Sequence, residues 1–223
     1  MAEGFRLRVC YRKTGRLRHL SHLETVRACE RAARRAGLPY AVTQGFAQRM
    51  RIAFGPALPV GTAGEREYFD LWLTRFVPAE QALALLRNAS VEELGAYAGA
   101  YVPASERSLG ALLEVAQYDV SVEGGIPQEE IEHSLEDLLR VGTLSVEHKD
   151  KTKVFNLAEV LPKRPEVRCE GDRIVTRVTV RMGEQGSLRP DALVTAAVGR
   201  PVRLMVTRTD LLIDDGGVWR RPL

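Results

Sequence analysis

The sequence predicts an α+β fold, and three observations predict it. Short stretches alternating apolar and polar residues are interleaved with longer stretches of helical periodicity. The order strand, helix, two strands, helix, strand is read twice, which is the order of two tandem ferredoxin-like (βαββαβ) units. A chain of 223 residues with 45% hydrophobic content is also long enough for two cores of ordinary size.

The first unit is expected over residues 1–105. Its first strand, near residues 5–12, alternates Phe5, Leu7, Val9 and Tyr11 with Arg6, Arg8, Cys10 and Arg12, so one face is apolar and the other basic. A helix near 21–36 opens on Ser21-His22-Leu23-Glu24, the S-x-x-E pattern of a capping box. The next strand, near 50–54, sets Met50, Ile52 and Phe54 opposite Arg49, Arg51 and Ala53. GPALPVGTAGE, residues 55–65, is rich in glycine and proline and reads as a hairpin connection. The strand near 67–74 sets Phe69, Leu71 and Leu73 opposite Tyr68, Asp70 and Trp72, and a helix near 78–88 and a strand near 91–98 complete the unit.

After YVPASERSLG the order recurs in a second unit, residues 106–223. Strands are expected near 113–122, 144–148, 174–181 and 203–208, with helices near 127–141 and 189–198. An irregular connection near 149–171, containing a short helical turn, links the central strands.

Charge is concentrated at the start. The first fifty-five residues carry twelve Arg and Lys against three Glu, whereas the whole chain has a formal net charge of only +3. A basic lobe on a mildly acidic body points to a polyanionic partner. At 100° per residue the first helix gathers Arg27, Arg31, Arg34 and Arg35 on one side, opposite Val26, Cys29, Ala32, Ala33 and Ala36. Lys13, Arg16 and Arg18 from the preceding loop extend this stripe toward phosphates, the alternative being a solvated surface face. A second basic surface follows from strand alternation. With helices on one side of the sheet, the other side holds Arg6, Arg8, Arg12, Arg49, Arg51, Tyr68 and Trp72, a mixture suited to phosphates and unstacked bases. The competing reading packs this face against the second unit, with Asp70 pairing an arginine across strands.

Other classes of chemistry find little support. No apolar run approaches the roughly 20 residues of a membrane span. MAEG leads straight into FRLRVCYRK without a hydrophobic signal core, so a cytoplasmic protein is expected. Cys10, Cys29 and Cys169 are widely spaced and expected as small core residues rather than disulfide or zinc ligands. His19, His22, His133 and His148 show no metal-binding spacing, and neither a phosphate-binding loop nor a dinucleotide fingerprint is present. No metal and no cofactor are expected. His22, in the first turn of the helix, is the one candidate general acid or base, the alternative being a packed structural histidine.

The stretch from Tyr11 to Leu73 resembles the opening of the radical SAM-linked protein family, an uncharacterised bacterial family (domain of unknown function 2344). The resemblance is carried by Lys13, Gly15, Leu17, Arg18, Ser21, His22, Leu23 and Glu24, and by Arg31, Ala32, Arg34, Arg35 and Ala36. Gly45 and Phe46, the run Ala57 to Gly61, and Glu67, Tyr68 and Asp70 carry the rest. GSLRPDALV resembles a weaker family segment through Ser187, Arg189 and Pro190. Glu24 stands where the family has aspartate, and Ala47-Gln48-Arg49 replaces an asparagine-proline turn. The resemblance implies a stand-alone accessory chain working with a radical S-adenosylmethionine protein, and it transfers no catalytic residue. The chain has no C-x-x-x-C-x-x-C run to hold a cluster of its own.

Together these readings give a non-catalytic RNA-binding accessory module. The first alternative is a metal-independent endoribonuclease using His22, since tandem ferredoxin-like units resemble CRISPR repeat-processing nucleases. Lys13, Arg16 or Arg18 would then stabilise phosphorane charge. The second alternative is a protein-interaction domain whose arginine stripe meets an acidic partner.

Overall fold

A computed structural model describes residues 4–123, 125–148, 151–183 and 187–223. Residues 149 and 150 of the predicted irregular connection, and Gly186 of the GSLRPDALV segment, lie outside the described residues. The fold is α+β, with two compact units: Met1–Leu113 together with Arg221–Leu223, and Glu114–Arg220. Among the described residues no helix is long and apolar enough to cross a membrane.

Unit 1 runs β1 (Phe5–Lys13), a 3₁₀ turn (Gly15–His19), α1 (His22–Arg35), β2 (Ile52–Phe54), β3 (Ala63–Leu73), α2 (Ala79–Asn88), a second 3₁₀ turn (Glu92–Leu94), β4 (Ala96–Tyr101) and the single-turn α3 (Leu109–Leu112). Its strands lie in the order β4-β1-β3-β2, each neighbouring pair antiparallel. Register follows the apolar phase: Leu7 sits opposite Leu71 and Val9 opposite Phe69, all buried. Against this face α1 presents Cys29, Ala32 and Ala33, and α2 presents Ala82, Leu83 and Leu86. β4 begins later than expected because residues 92–94 form the 3₁₀ turn. Its small residues reflect close approach: a Cβ added at Gly99 would lie 2.8 Å from the carbonyl oxygen of Arg8.

Unit 2 runs β5 (Val115–Glu123), α4 (Gln128–Val141), β6 (Thr143–His148), β7 (Lys151–Asn156), the single-turn α5 (Leu157–Val160), β8 (Glu166–Glu170), β9 (Arg173–Arg181), α6 (Pro190–Val198), β10 (Arg203–Asp215) and β11 (Val218–Arg220). The sheet order is β10-β5-β9-β8, antiparallel, with β11 paired to β10. One expectation needs correction here. Among the described residues the segment expected as a central strand, β6, pairs only with β7 in a separate hairpin, and β8, from the segment expected to be irregular, takes the place beside β9. The charges of β8 hid it: Arg168 bonds both Glu170 and Asp119, and its alternation has little apolar content to mark a strand.

Cys10 and Cys29 are buried as expected, and burial raises both thiols, Cys29 to about 12. Cys169 departs from the expectation. It is exposed on the short strand β8, and its thiol donates to Gln128 Oε1 at 3.1 Å.

Candidate nucleic-acid interface

The first helix is fixed at its start by the residues the sequence singled out. Glu24 N donates to Ser21 Oγ at 3.4 Å, and the Glu24 carboxylate accepts from Ser21 N at 2.8 Å and from the Ser21 hydroxyl at 2.7 Å. The bond from the Ser21 amide, then that from its hydroxyl, holds the Glu24 carboxyl below its usual range. Just upstream, Lys13 Nζ donates to the Leu20 carbonyl at 2.7 Å and ties β1 to the entry of α1.

From this anchored end the helix carries its arginines outward. Arg27, Arg31, Arg34 and Arg35 are exposed, as is Arg16 on the preceding turn, while Arg18 is half-buried. Arg34 makes a 3.4 Å ion pair with Glu30 and Arg35 donates to the Ala89 carbonyl at 2.7 Å. Arg16, Arg27 and Arg31 make no ion pair or hydrogen bond through their side chains among the described residues. Three exposed guanidinium groups without an ion pair or hydrogen bond among the described residues therefore sit on unit 1, and they are the cations most available to an anionic partner.

The second basic surface is largely closed, which corrects the expectation of an open sheet face. Arg6 is 5% exposed, Arg8 1% and Tyr68 2%, and on the opposite face Lys13, expected in the loop stripe, is buried as well at 2%. The cause on the basic face is Asp70, wholly buried. Its Oδ2 accepts from Arg6 Nε at 3.0 Å and Nη2 at 2.7 Å, and its Oδ1 accepts from Arg8 Nε at 2.9 Å. Arg6 is further spent on the carbonyls of Glu106 and Arg107, at 2.6 and 2.9 Å. What remains open is Arg12, whose guanidinium carbon lies 5.4 Å from the Tyr97 ring centroid, and the margin, where Arg49 and Arg51 are exposed and Trp72 is half-buried. The Arg51 guanidinium carbon lies 4.6 Å from the Trp72 ring centroid and that of Arg6 5.2 Å, both within cation–π range.

His22 is exposed, and its ring meets Phe54 edge-on, 5.8 Å between centroids. It also lines a narrow crevice with Lys13, Thr25, Glu67 and the Pro56–Leu58 loop, whose free space of about 10 Å³ admits about one water. Glu67, 3% exposed, is the site residue that strand alternation alone should have found. It shares the phase of Phe69, Leu71 and Leu73, as Lys13 shares that of Leu7, Val9 and Tyr11, so both charges fall on the helix-covered side. A charged residue in step with an apolar face was the signal. Unit 2 holds a separate cavity of about 630 Å³ between the β6–β7 hairpin and α6, lined by Leu144, Phe155, Ser187 and Arg189 among others. There Arg189 is paired with Asp191 through Nε and Nη2.

A solved structure, the crystal structure of a Cbf5-Nop10-Gar1 complex, is similar to this chain at a TM-score of 0.46 and 12% sequence identity. The alignment covers 92% of this chain and 48% of that one, so this chain spans about half the length of the chain it matches, and a likeness at that level carries no argument. No curated protein matches the sequence. Residues 6–190, which include α1, the Pro56–Leu58 loop and the Glu67-to-Asp70 segment of β3, match one family throughout, and the chain belongs to it: the family described as an uncharacterized protein conserved in bacteria (DUF2344).

Proposed function

We propose that this chain is a cytoplasmic, non-catalytic accessory module of two tandem ferredoxin-like units that binds RNA through unit 1 and works with a radical S-adenosylmethionine enzyme. The observation that carries the reading is the exposed set Arg16, Arg27 and Arg31, without ion pairs or side-chain hydrogen bonds among the described residues and flanked by Arg34 and Arg35. Unit 1 as a whole holds seventeen Lys and Arg against ten Asp and Glu, so its own field favours a polyanion. The ferredoxin-like reading is supported by the recurring strand order, β4-β1-β3-β2 in one unit and β10-β5-β9-β8 in the other, with a hairpin inserted in the second. The enzyme partner rests on the resemblance at Lys13, Gly15, Ser21, His22 and the Ala57–Gly61 run.

A mobility or filter-binding assay with structured RNA at two salt concentrations tests the RNA reading. Binding that weakens steeply between the two is expected, because each phosphate contact releases counterions. No binding at low salt, or binding indifferent to salt, overturns it.

One observation favours the nuclease reading over the protein-interaction reading as the runner-up: His22, Lys13 and Glu67 line the same crevice. Shortened RNA on the same gel, abolished by His22→Ala, would replace the accessory reading with this one.

A further inference from the structure

The exposed margin of the sheet continues into a ribbon that the arginine set alone does not explain. Residues 40–43 and 49–52 run antiparallel beside β3, held by Ala41 N to Trp72 O at 2.7 Å, Arg51 N to Ala41 O at 2.8 Å and Trp72 N to Arg51 O at 3.1 Å. Above that clamp Val42 bridges Met50, and Thr43 closes the loop: its amide donates to the Arg49 carbonyl at 2.8 Å and its hydroxyl accepts from the Arg49 amide at 3.1 Å. The base of the loop is therefore fixed. At its tip Phe46 is fully exposed, and Gly45 precedes it at φ 134°, a backbone conformation that favours glycine.

The charges around this exposed ring select the class of ligand that it would take. From Arg31 to Gly64 the sequence contains no Asp or Glu but five Arg. Arg49 and Arg51 are two residues apart on one strand of the ribbon, so they share a side and stand roughly 6–7 Å apart along it. Arg51 is stacked over Trp72. Two exposed cations at that spacing, with aromatic faces beside them, no acid in their own segment and the nearby Asp70 already held by Arg6 and Arg8, fit a strand of phosphates whose bases are free to stack, rather than a protein surface of mixed charge.

We infer that the 40–52 ribbon is a single-strand RNA site, in which Arg49 and Arg51 hold successive phosphates and Phe46 receives one unstacked base. This rests on the RNA-binding reading above and narrows it to a strand that is unpaired where it meets the ribbon. Duplex RNA keeps its bases stacked inside the helix, so it contacts the arginines of α1 but gains nothing from Phe46.

The test compares two fluorescent probes on the full chain, an oligouridine of about twelve nucleotides and an RNA duplex of about twenty base pairs. Phe46→Ala should weaken oligouridine binding roughly 5- to 100-fold, Phe46→Trp should retain it, and duplex binding should be unchanged in both. Phe46 buries no surface within the chain, so Phe46→Ala is expected to fold as the parent does. If the parent chain binds neither probe at low salt, the RNA reading itself fails and this one with it. If it binds the duplex but Phe46→Ala holds oligouridine as tightly as the parent, only the ribbon site fails, and Phe46 is left to a protein partner.

Discussion

Asp70 holds two guanidinium groups with one carboxylate, and all three groups are almost entirely out of water. Taking three charges from solvent is costly, and their mutual attraction offsets this only while the geometry is complete. The arrangement leaves a net positive charge inside unit 1, softened by the Glu106 and Arg107 carbonyls and by Trp72. Asp70→Asn removes the charge and keeps the shape, stranding both arginines. The expected loss is about 3–5 kcal/mol of unfolding free energy, measured by urea titration. A loss below about 1 kcal/mol would mean that water or backbone already satisfies Arg6 and Arg8. The same residues decide between the two readings of this face that alternation left open, in favour of Asp70 pairing arginines across strands. Arginines that alternate with apolar residues look like a solvent face, and a single aspartate on the partner strand is enough to turn them inward.

At the scale of elements, what could be read from the sequence follows from how local its cause is. The start of α1 was legible because Ser21 and Glu24 satisfy each other within one turn. The alternating strands β1 and β3 were legible for a similar reason. β6 was legible as a strand but not its pairing, because the choice of sheet partner is made by contacts far along the chain, and β8 was not legible because its charges leave little apolar alternation. The crevice is likewise non-local: β1 supplies Lys13, α1 supplies His22 and β3 supplies Glu67. Gly64 is a point of close approach in that assembly. It pairs in register with Lys13, and a Cβ added there would lie 2.6 Å from Glu67 Cγ and Oε1 and 2.7 Å from Leu58 Cδ1. Gly64→Ala therefore has to displace a buried carboxylate and a loop side chain together. A destabilisation of about 1–3 kcal/mol is expected in thermal or urea unfolding, whereas Gly110→Ala, whose Cβ meets nothing within 4 Å, should cost far less.

Across the whole molecule, the two units differ in how their arginines are used more than in how many they contain. Unit 2 has fifteen Lys and Arg against nineteen Asp and Glu. Many are committed: Arg168 and Arg177 share Asp119, Arg181 meets Asp214, Arg200 meets Glu130 and Arg203 meets Glu123. At Asp119 burial opposes ionisation, but the hydrogen bonds from Arg177 and Arg168 outweigh it and hold the carboxyl below its ordinary range. In unit 1, by contrast, Arg16, Arg27 and Arg31 make no ion pair among the described residues, so a polyanion gains more from unit 1 than from unit 2. Paired charge reversals separate placed charge from total charge. Arg27→Glu with Arg31→Glu should weaken binding of structured RNA and lower the slope of log affinity against log salt by about 2, since each lost phosphate contact removes about 0.9. Arg200→Glu with Arg203→Glu changes the net charge by the same amount, and the slope should stay as it is. Equal losses from the two pairs would show that the protein's overall charge, and not the corner built by α1, draws the nucleic acid in.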